Sequence, residues 1–167
     1  VEKMFIFGTP EEFNFFQKNI LKSFPQNKKV VAVCSDHSGF AAKEIFKSLA
    51  EKIGLHVLDF GTHDTHDTDY SVFVRAACDS ILSGVSDFGF GFCRSGQGVN
   101  IAANKGKGIR SALCYNDWAA RYAVAHSCAN FFAVSEKFCD ENQIAKILNE
   151  VMTNSFHGGR HQTRLMA

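Results

Sequence analysis

The chain has 167 residues, 46% of them hydrophobic and 21% charged, with a formal net charge of +1. That is one ordinary domain able to bury a core, and it excludes a disordered chain and a broad electrostatic footprint for nucleic acid. The six cysteines form no C-x-x-C pair and three fall inside or at the ends of apolar strand-like runs, so they read as reduced thiols of a cytoplasmic protein rather than a disulfide framework.

Residues 1–27 read as an extension. Met4-Phe5-Ile6-Phe7 is a short strand candidate, and Thr9-Pro10-Glu11-Glu12 carries a helix-start signature with a Thr cap, Pro at the first turn and Glu three residues on. Phe13, Phe16, Ile20 and Phe24 then follow at helical spacing, which predicts an accessory helix with one apolar face, packed on the domain or on a partner subunit.

From Lys28 the pattern alternates. Val30–Cys34 reads as a buried strand, followed by a Ser35–Phe40 loop and a helix to about Ile53. His56–Phe60 makes a second strand, and a polar Thr/His/Asp loop leads to a helix over about 70–82. The Gly/Phe alternation of 87–93 gives a third strand, with a helix after Gly98. Strands at 109–114 and 129–134 each precede a helix, at about 117–125 and 141–153. Continuous apolar strands alternating with helices predict a three-layer α/β domain over 28–167. Its sheet is five-stranded, parallel and doubly wound, in Rossmann-like or flavodoxin-like order. No run approaches membrane length, so no membrane partner is expected.

In such folds ligands bind beyond the carboxyl ends of the strands. The Cys93-Arg94-Ser95-Gly96-Gln97-Gly98 stretch is the most informative of these places. Strand, thiol, two glycines and a helix start bring N–H donors and the positive helix end together, which suits an anion or an oxyanion formed in a reaction. A thiol at that edge is drawn toward the thiolate; the plainer reading of Cys93 is a core cysteine beside a turn. Asp36 serves equally as a helix cap or as a site residue before His37. His63 and His66, with Asp64, Asp67 and Asp69, resemble a metal cluster but match no zinc spacing, so no metal is expected. His126 alone reads as a structural histidine. Arg160 and Arg164, four apart, can share one helical face and fork onto one phosphate, or lie in a solvated tail.

Taken together, Ser35-Asp36-His37-x-Gly39-Phe40, Asp59-Phe60-Gly61-Thr62, Asp69-Tyr70, Cys93-x-Ser95-Gly96-x-Gly98, Ile101-Ala102-Ala103-Asn104-Lys105, Gly108-Ile109-Arg110 and Gly158-Gly159-Arg160-His161-x-x-Arg164 occur in that order. From Lys28 to Leu165 the chain resembles the ribose-5-phosphate isomerase B family, grouped with galactose-6-phosphate isomerase subunits. The resemblance implies a cofactor-free aldose–ketose isomerisation of ribose 5-phosphate and ribulose 5-phosphate through an enediolate. It implies Cys93 as general base, with Val99 where the other branch of the family has a carboxylate. Ser95 would assist proton movement between O1 and O2, and the Ser95–Gly98 backbone, through Gly96 and Gln97, would hold the anion. His126 with Asp36 would open the furanose ring; His37, Arg160 and Arg164 would clamp the phosphate; Tyr70 would line the sugar site.

The resemblance also implies a homodimer, or a dimer of dimers, whose site is shared, with His126 and residues of the clamp on different subunits. Two positions depart from the pattern. Ser127-Cys128 stands where Asn-Asp is usual, which bears on the sugar contacts, and Arg94 replaces a glycine beside the base. The rival readings are an isomerase of a hexose 6-phosphate (allose or galactose type), a non-catalytic sugar-phosphate-binding protein, and, on fold analogy alone, a flavin carrier.

Overall fold

The computed structural model describes residues 30–166; the strand and helix expected within residues 1–27 lie outside the described residues. The chain runs β1 (Val30–Ser35), α1 (Phe40–Lys52), β2 (His56–Asp59), α2 (Tyr70–Leu82), β3 (Phe88–Cys93), α3 (Gln97–Asn104), β4 (Ser111–Cys114), α4 (Asp117–Ala125), β5 (Phe131–Ser135), α5 (Glu141–Thr153) and α6 (Arg160–Leu165). All five strands are parallel, in the order β2-β1-β3-β5-β4. This is the expected doubly wound sheet, with its last two strands exchanged relative to the flavodoxin order. Residues of α1, α4 and α5 pack on one face and those of α2 and α3 on the other. The winding direction changes between β1 and β3, so the ends of those two strands form the switch point where such folds bind ligands.

The Phe/Gly alternation of β3 has a packing reason. Phe88, Phe90 and Phe92 point to one face, where Phe46 of α1 sits 4.3 Å from the Phe90 ring and Phe132 sits 5.2 Å from it. Gly89 and Gly91 point to the other, where the Phe131 ring lies across them. A Cβ at Gly91 would come within 2.8 Å of Phe131, and one at Gly89 within 2.9 Å. Each fully buried ring contributes about 1.5–3 kcal/mol of transfer free energy.

Three helices are capped by side chains the sequence supplies: Asp69 accepts from Ser71 N–H, Asn116 from Ala119 and Asp140 from Gln143, each at 2.8 Å. The starts of β4 and β5 fall later than the periodicity predicts. Ile109, Arg110 and Ala129 read as strand but lie outside β4 and β5. The Asn130 amide is the reason: its Oδ1 accepts Arg110 N–H at 2.8 Å and its Nδ2 donates to Gly108 O at 3.0 Å, replacing the ladder there. All six cysteines are buried free thiols, and burial pushes those of Cys78 and Cys114 up to about 12. Among the described residues no helix is long and apolar enough to cross a membrane.

Candidate active site

Cys93 is the last residue of β3 and is buried. Its Sγ accepts the Gly96 N–H at 3.2 Å, and Ser95 Oγ accepts the Gln97 N–H at 3.3 Å. Gly96 caps α3 at φ +75°, a conformation that favours glycine, and a Cβ there would press on Leu113 and the Val134 backbone. The helix begins at Gln97 rather than after Gly98, so Gly98 belongs to its first turn. The Tyr70 ring, from the start of α2, lies against that turn: a Cβ at Gly98 would be 2.7 Å from the phenol oxygen. Thiol, hydroxyl, phenol and the first-turn N–H donors of α3 therefore share one rim.

The end of β1 completes this rim. A side chain at Gly39 would collide with the Phe92 carbonyl, so only glycine lets the β1–α1 loop lie on the end of β3. Asp36 N–H donates to Phe92 O at 3.2 Å, and Asp36 Oδ1 accepts the Gly39 N–H at 2.7 Å. Asp36 thus closes the loop ahead of α1 rather than capping the helix, whose N-cap is Gly39 with no side-chain cap bond. His37 is half-buried, its Nδ1 accepting the Thr68 N–H at 3.2 Å with Asp67 Oδ1 at 3.3 Å. Arg94 is exposed. Its carbonyl is held by Ser135 Oγ at 2.7 Å and Lys137 N–H at 3.2 Å, which ties the Cys93 loop to the end of β5.

A second group lies elsewhere. His126 follows α4, its ring 4.5 Å from Tyr122 and stacked on His161 of α6 at 4.0 Å and 11°. His157 is 5.6 Å away, and its N–H donates to Ala125 O at 2.9 Å. Partial desolvation, then the charges of His126, Arg160, Arg164 and His157, hold His161 below the usual imidazole range. Ser127, Arg160 and Arg164 are exposed, the two arginines one turn apart on α6.

The two groups sit at opposite ends of the sheet. Gly89 pairs with Phe131 and Cys93 with Ser135. Helix α4 runs from the end of β4 back toward the start of β5, so His126 belongs with the Phe131 end. Four residues of strand separate those levels by about 13 Å. One chain therefore gathers Asp36, His37, Tyr70, Cys93, Arg94, Ser95, Gly96, Gln97 and Gly98 at one end, and His126, Ser127, Arg160 and Arg164 at the other. Within the expected phosphate clamp, the arginines side with His126 and His37 sides with Cys93.

His63 and His66 stand beside single carboxylates, Asp59 at 3.9 Å and Asp64 at 3.2 Å. Among the described residues no three His, Cys, Asp or Glu side chains converge to hold a metal. Sequence reasoning missed the buried Lys43, whose Nζ bonds both oxygens of Asp59 next to the His37 loop. The available signal was a lysine on the apolar stripe Ala42, Phe46, Ala50 of α1. It also missed the stacking of His161 on His126, which no spacing encodes.

The model of a family described as Ribose/Galactose Isomerase matches residues 31–167. The chain is 33% identical over 141 residues to ribose-5-phosphate isomerase B of Escherichia coli (strain K12), covering 84% of this chain and 93% of that one. It is similar to the structure of Clostridium thermocellum ribose-5-phosphate isomerase B, with a TM-score of 0.80, 36% identity, and coverage of 81% and 92%. The Mycoplasma genitalium ribose-5-phosphate isomerase B, solved with bound ribulose-5-phosphate, gives a TM-score of 0.77 at 31% identity, with coverage of 81% and 91%.

Proposed function

The chain belongs to the ribose/galactose isomerase family, an isomerase family acting on sugar phosphates, and from that premise we propose that it interconverts ribose 5-phosphate and ribulose 5-phosphate. One observation carries the reading: a thiol closes a strand beside an open helix N-terminus, with a hydroxyl and a phenol on the same rim. That is what proton transfer next to a carbonyl requires.

In the aldose direction the Cys93 thiolate takes the proton from C2, and the electron pair moves into the C1–C2 bond while O1 takes the negative charge. The first-turn N–H groups of α3 meet that charge as it develops. Ser95 carries a proton from O2 to O1, leaving the negative charge on O2. The Cys93 thiol then returns its proton to C1 as the C2 carbonyl forms, and the ketose leaves with its atoms and charge conserved. His37, Arg160 and Arg164 hold the phosphate, which does not change in the reaction.

The separation of His126 from Cys93 within one chain favours a site built from two copies. His126, Ser127 and the two arginines of one copy then face Cys93, Asp36, His37 and Tyr70 of the other, and His126 with Asp36 opens the furanose.

The deciding experiment is an isomerase assay on ribose 5-phosphate beside allose 6-phosphate and galactose 6-phosphate. Preference for the pentose supports the reading. Preference for a hexose moves it to the hexose branch, where the short Ser127 beside His126 leaves room for a longer sugar. No turnover on any of the three sinks it.

A further inference from the structure

Lys43 is the only fully buried lysine among the described residues, and lysine is almost never fully buried unless paired. From the first turns of α1 its Nζ donates to Asp59 Oδ1 and Oδ2 at 2.6 and 2.7 Å, and to the Thr62 carbonyl at 2.6 Å. Asp59 also accepts from Lys47 at 2.8 Å and from the Gly61 N–H at 3.0 Å. Burial pushes the Asp59 carboxyl up, but the two lysines and the Gly61 N–H outweigh it and hold the group below its ordinary value. Stability alone does not account for this pair, because apolar residues in place of a buried ion pair are often neutral or stabilising.

Its geometry points to the loop that follows β2. Thr62 begins that loop, and it is stitched to the last residue of β1: Ser35 N–H donates to Gly61 O at 2.7 Å and Thr62 N–H to Ser35 O at 2.9 Å. At its far end the Thr68 N–H donates to His37 Nδ1 at 3.2 Å. A ring nitrogen that accepts an N–H carries no proton, so in the neutral imidazole the proton sits on Nε2. Asp67 Oδ1, 3.3 Å from the same Nδ1, favours the opposite arrangement, but its carboxylate is 97% exposed and its pull is weakened by water. Where the loop stands therefore decides which nitrogen of His37 is the donor.

We propose that Lys43 and Asp59 are a positioning pair. By anchoring the Thr62 carbonyl they hold the 61–69 loop so that the Thr68 N–H fixes the His37 tautomer, leaving Nε2–H as a ready donor to the sugar phosphate. The step from tautomer to substrate rests on the sugar-phosphate reading above. Neither side chain touches substrate.

The test uses the full chain with Lys43→Met, the double variant Lys43→Met/Asp59→Leu, and Thr68→Pro. The single buried change leaves the paired geometry broken and lowers Tm. The double variant replaces the ion pair by apolar groups and regains thermal stability, Lys47 keeping its contact with Glu44 at 3.0 Å. With stability restored, KM for ribose 5-phosphate is still expected to be raised on the order of tenfold, the loss of one hydrogen bond to a charged group, while kcat stays within about twofold. The ¹⁵N shifts of the His37 ring move from a single Nε2–H tautomer toward a mixture. Thr68→Pro removes the N–H without touching the buried pair and reproduces both changes.

A stable double variant with wild-type KM overturns the proposal, and so do unchanged His37 shifts in either that variant or Thr68→Pro. If the wild-type chain does not isomerise ribose 5-phosphate, the substrate reading fails. The ring shifts still decide the positioning pair.

Discussion

At the scale of single residues, the proposed mechanism divides the chemistry between Cys93 and His126, and the two substitutions separate their parts. Cys93→Ala removes the proposed base but leaves the Ser95–Gly98 turn, Tyr70 and His37 in place. We expect kcat to fall on the order of a hundred-fold or more while the sugar phosphate still binds, read by turnover and by titration of the ligand. Wild-type kcat in that variant would make the thiol merely structural. His126→Ala has a different signature. Ribulose 5-phosphate cannot close to a furanose because its C5 oxygen is esterified, so exchange of its C1 proton with solvent needs Cys93 and not a ring-opening group. That exchange, followed by NMR, should be nearly spared while turnover of ribose 5-phosphate collapses. Equal suppression of both would move His126 into the proton-transfer step.

At the scale of elements, α6 is a six-residue helix with no buried residue, held beside α4 by the His161–His126 stack and the His157 N–H. It presents Arg160 and Arg164 one turn apart. If they clamp the phosphate as proposed, Arg160→Ala and Arg164→Ala should each raise KM with little change in kcat, because that group is the same in ground and transition states. A fall in kcat at constant KM would assign them to the reacting end. The elements were largely legible because the apolar runs of Val30–Cys34 and Phe88–Cys93 are continuous and alternate with helical stretches. What periodicity could not show were bonds made by side chains across the fold. Asn130 shortens two strands by bonding Arg110 and Gly108, and Tyr70 needs a bare Gly98 that sits inside the helix rather than ahead of it. Cys93 and Ser95 were legible together because both stand at the end of β3, whereas Tyr70 was joined to them only by the family resemblance. The separation of His126 from Cys93 was legible too, since His126 ends a helix rather than following a strand; its stack on His161 was not.

For the whole molecule, that separation predicts complementation. Cys93→Ala spoils one end of the chain and His126→Ala the other. If two copies share each site, chains unfolded together and reassorted form mixed pairs in which one of two sites is intact. Activity should then return to about a quarter of the wild-type value from two inactive parents, as expected for random pairing about a two-fold axis. No recovery would mean that each chain works with its own His126. The middle of the sheet carries a constraint on descent. Gly89 and Gly91 have no room to grow while Phe131 lies over them, and Phe131 cannot shrink without leaving a hollow beside two bare backbones. Either change alone is harmful and only a joint change is neutral, so a lineage that adopts this arrangement is held in it. The Phe-Gly-Phe-Gly-Phe strand should drift far more slowly than its chemistry requires, as a fossil of packing rather than a record of function.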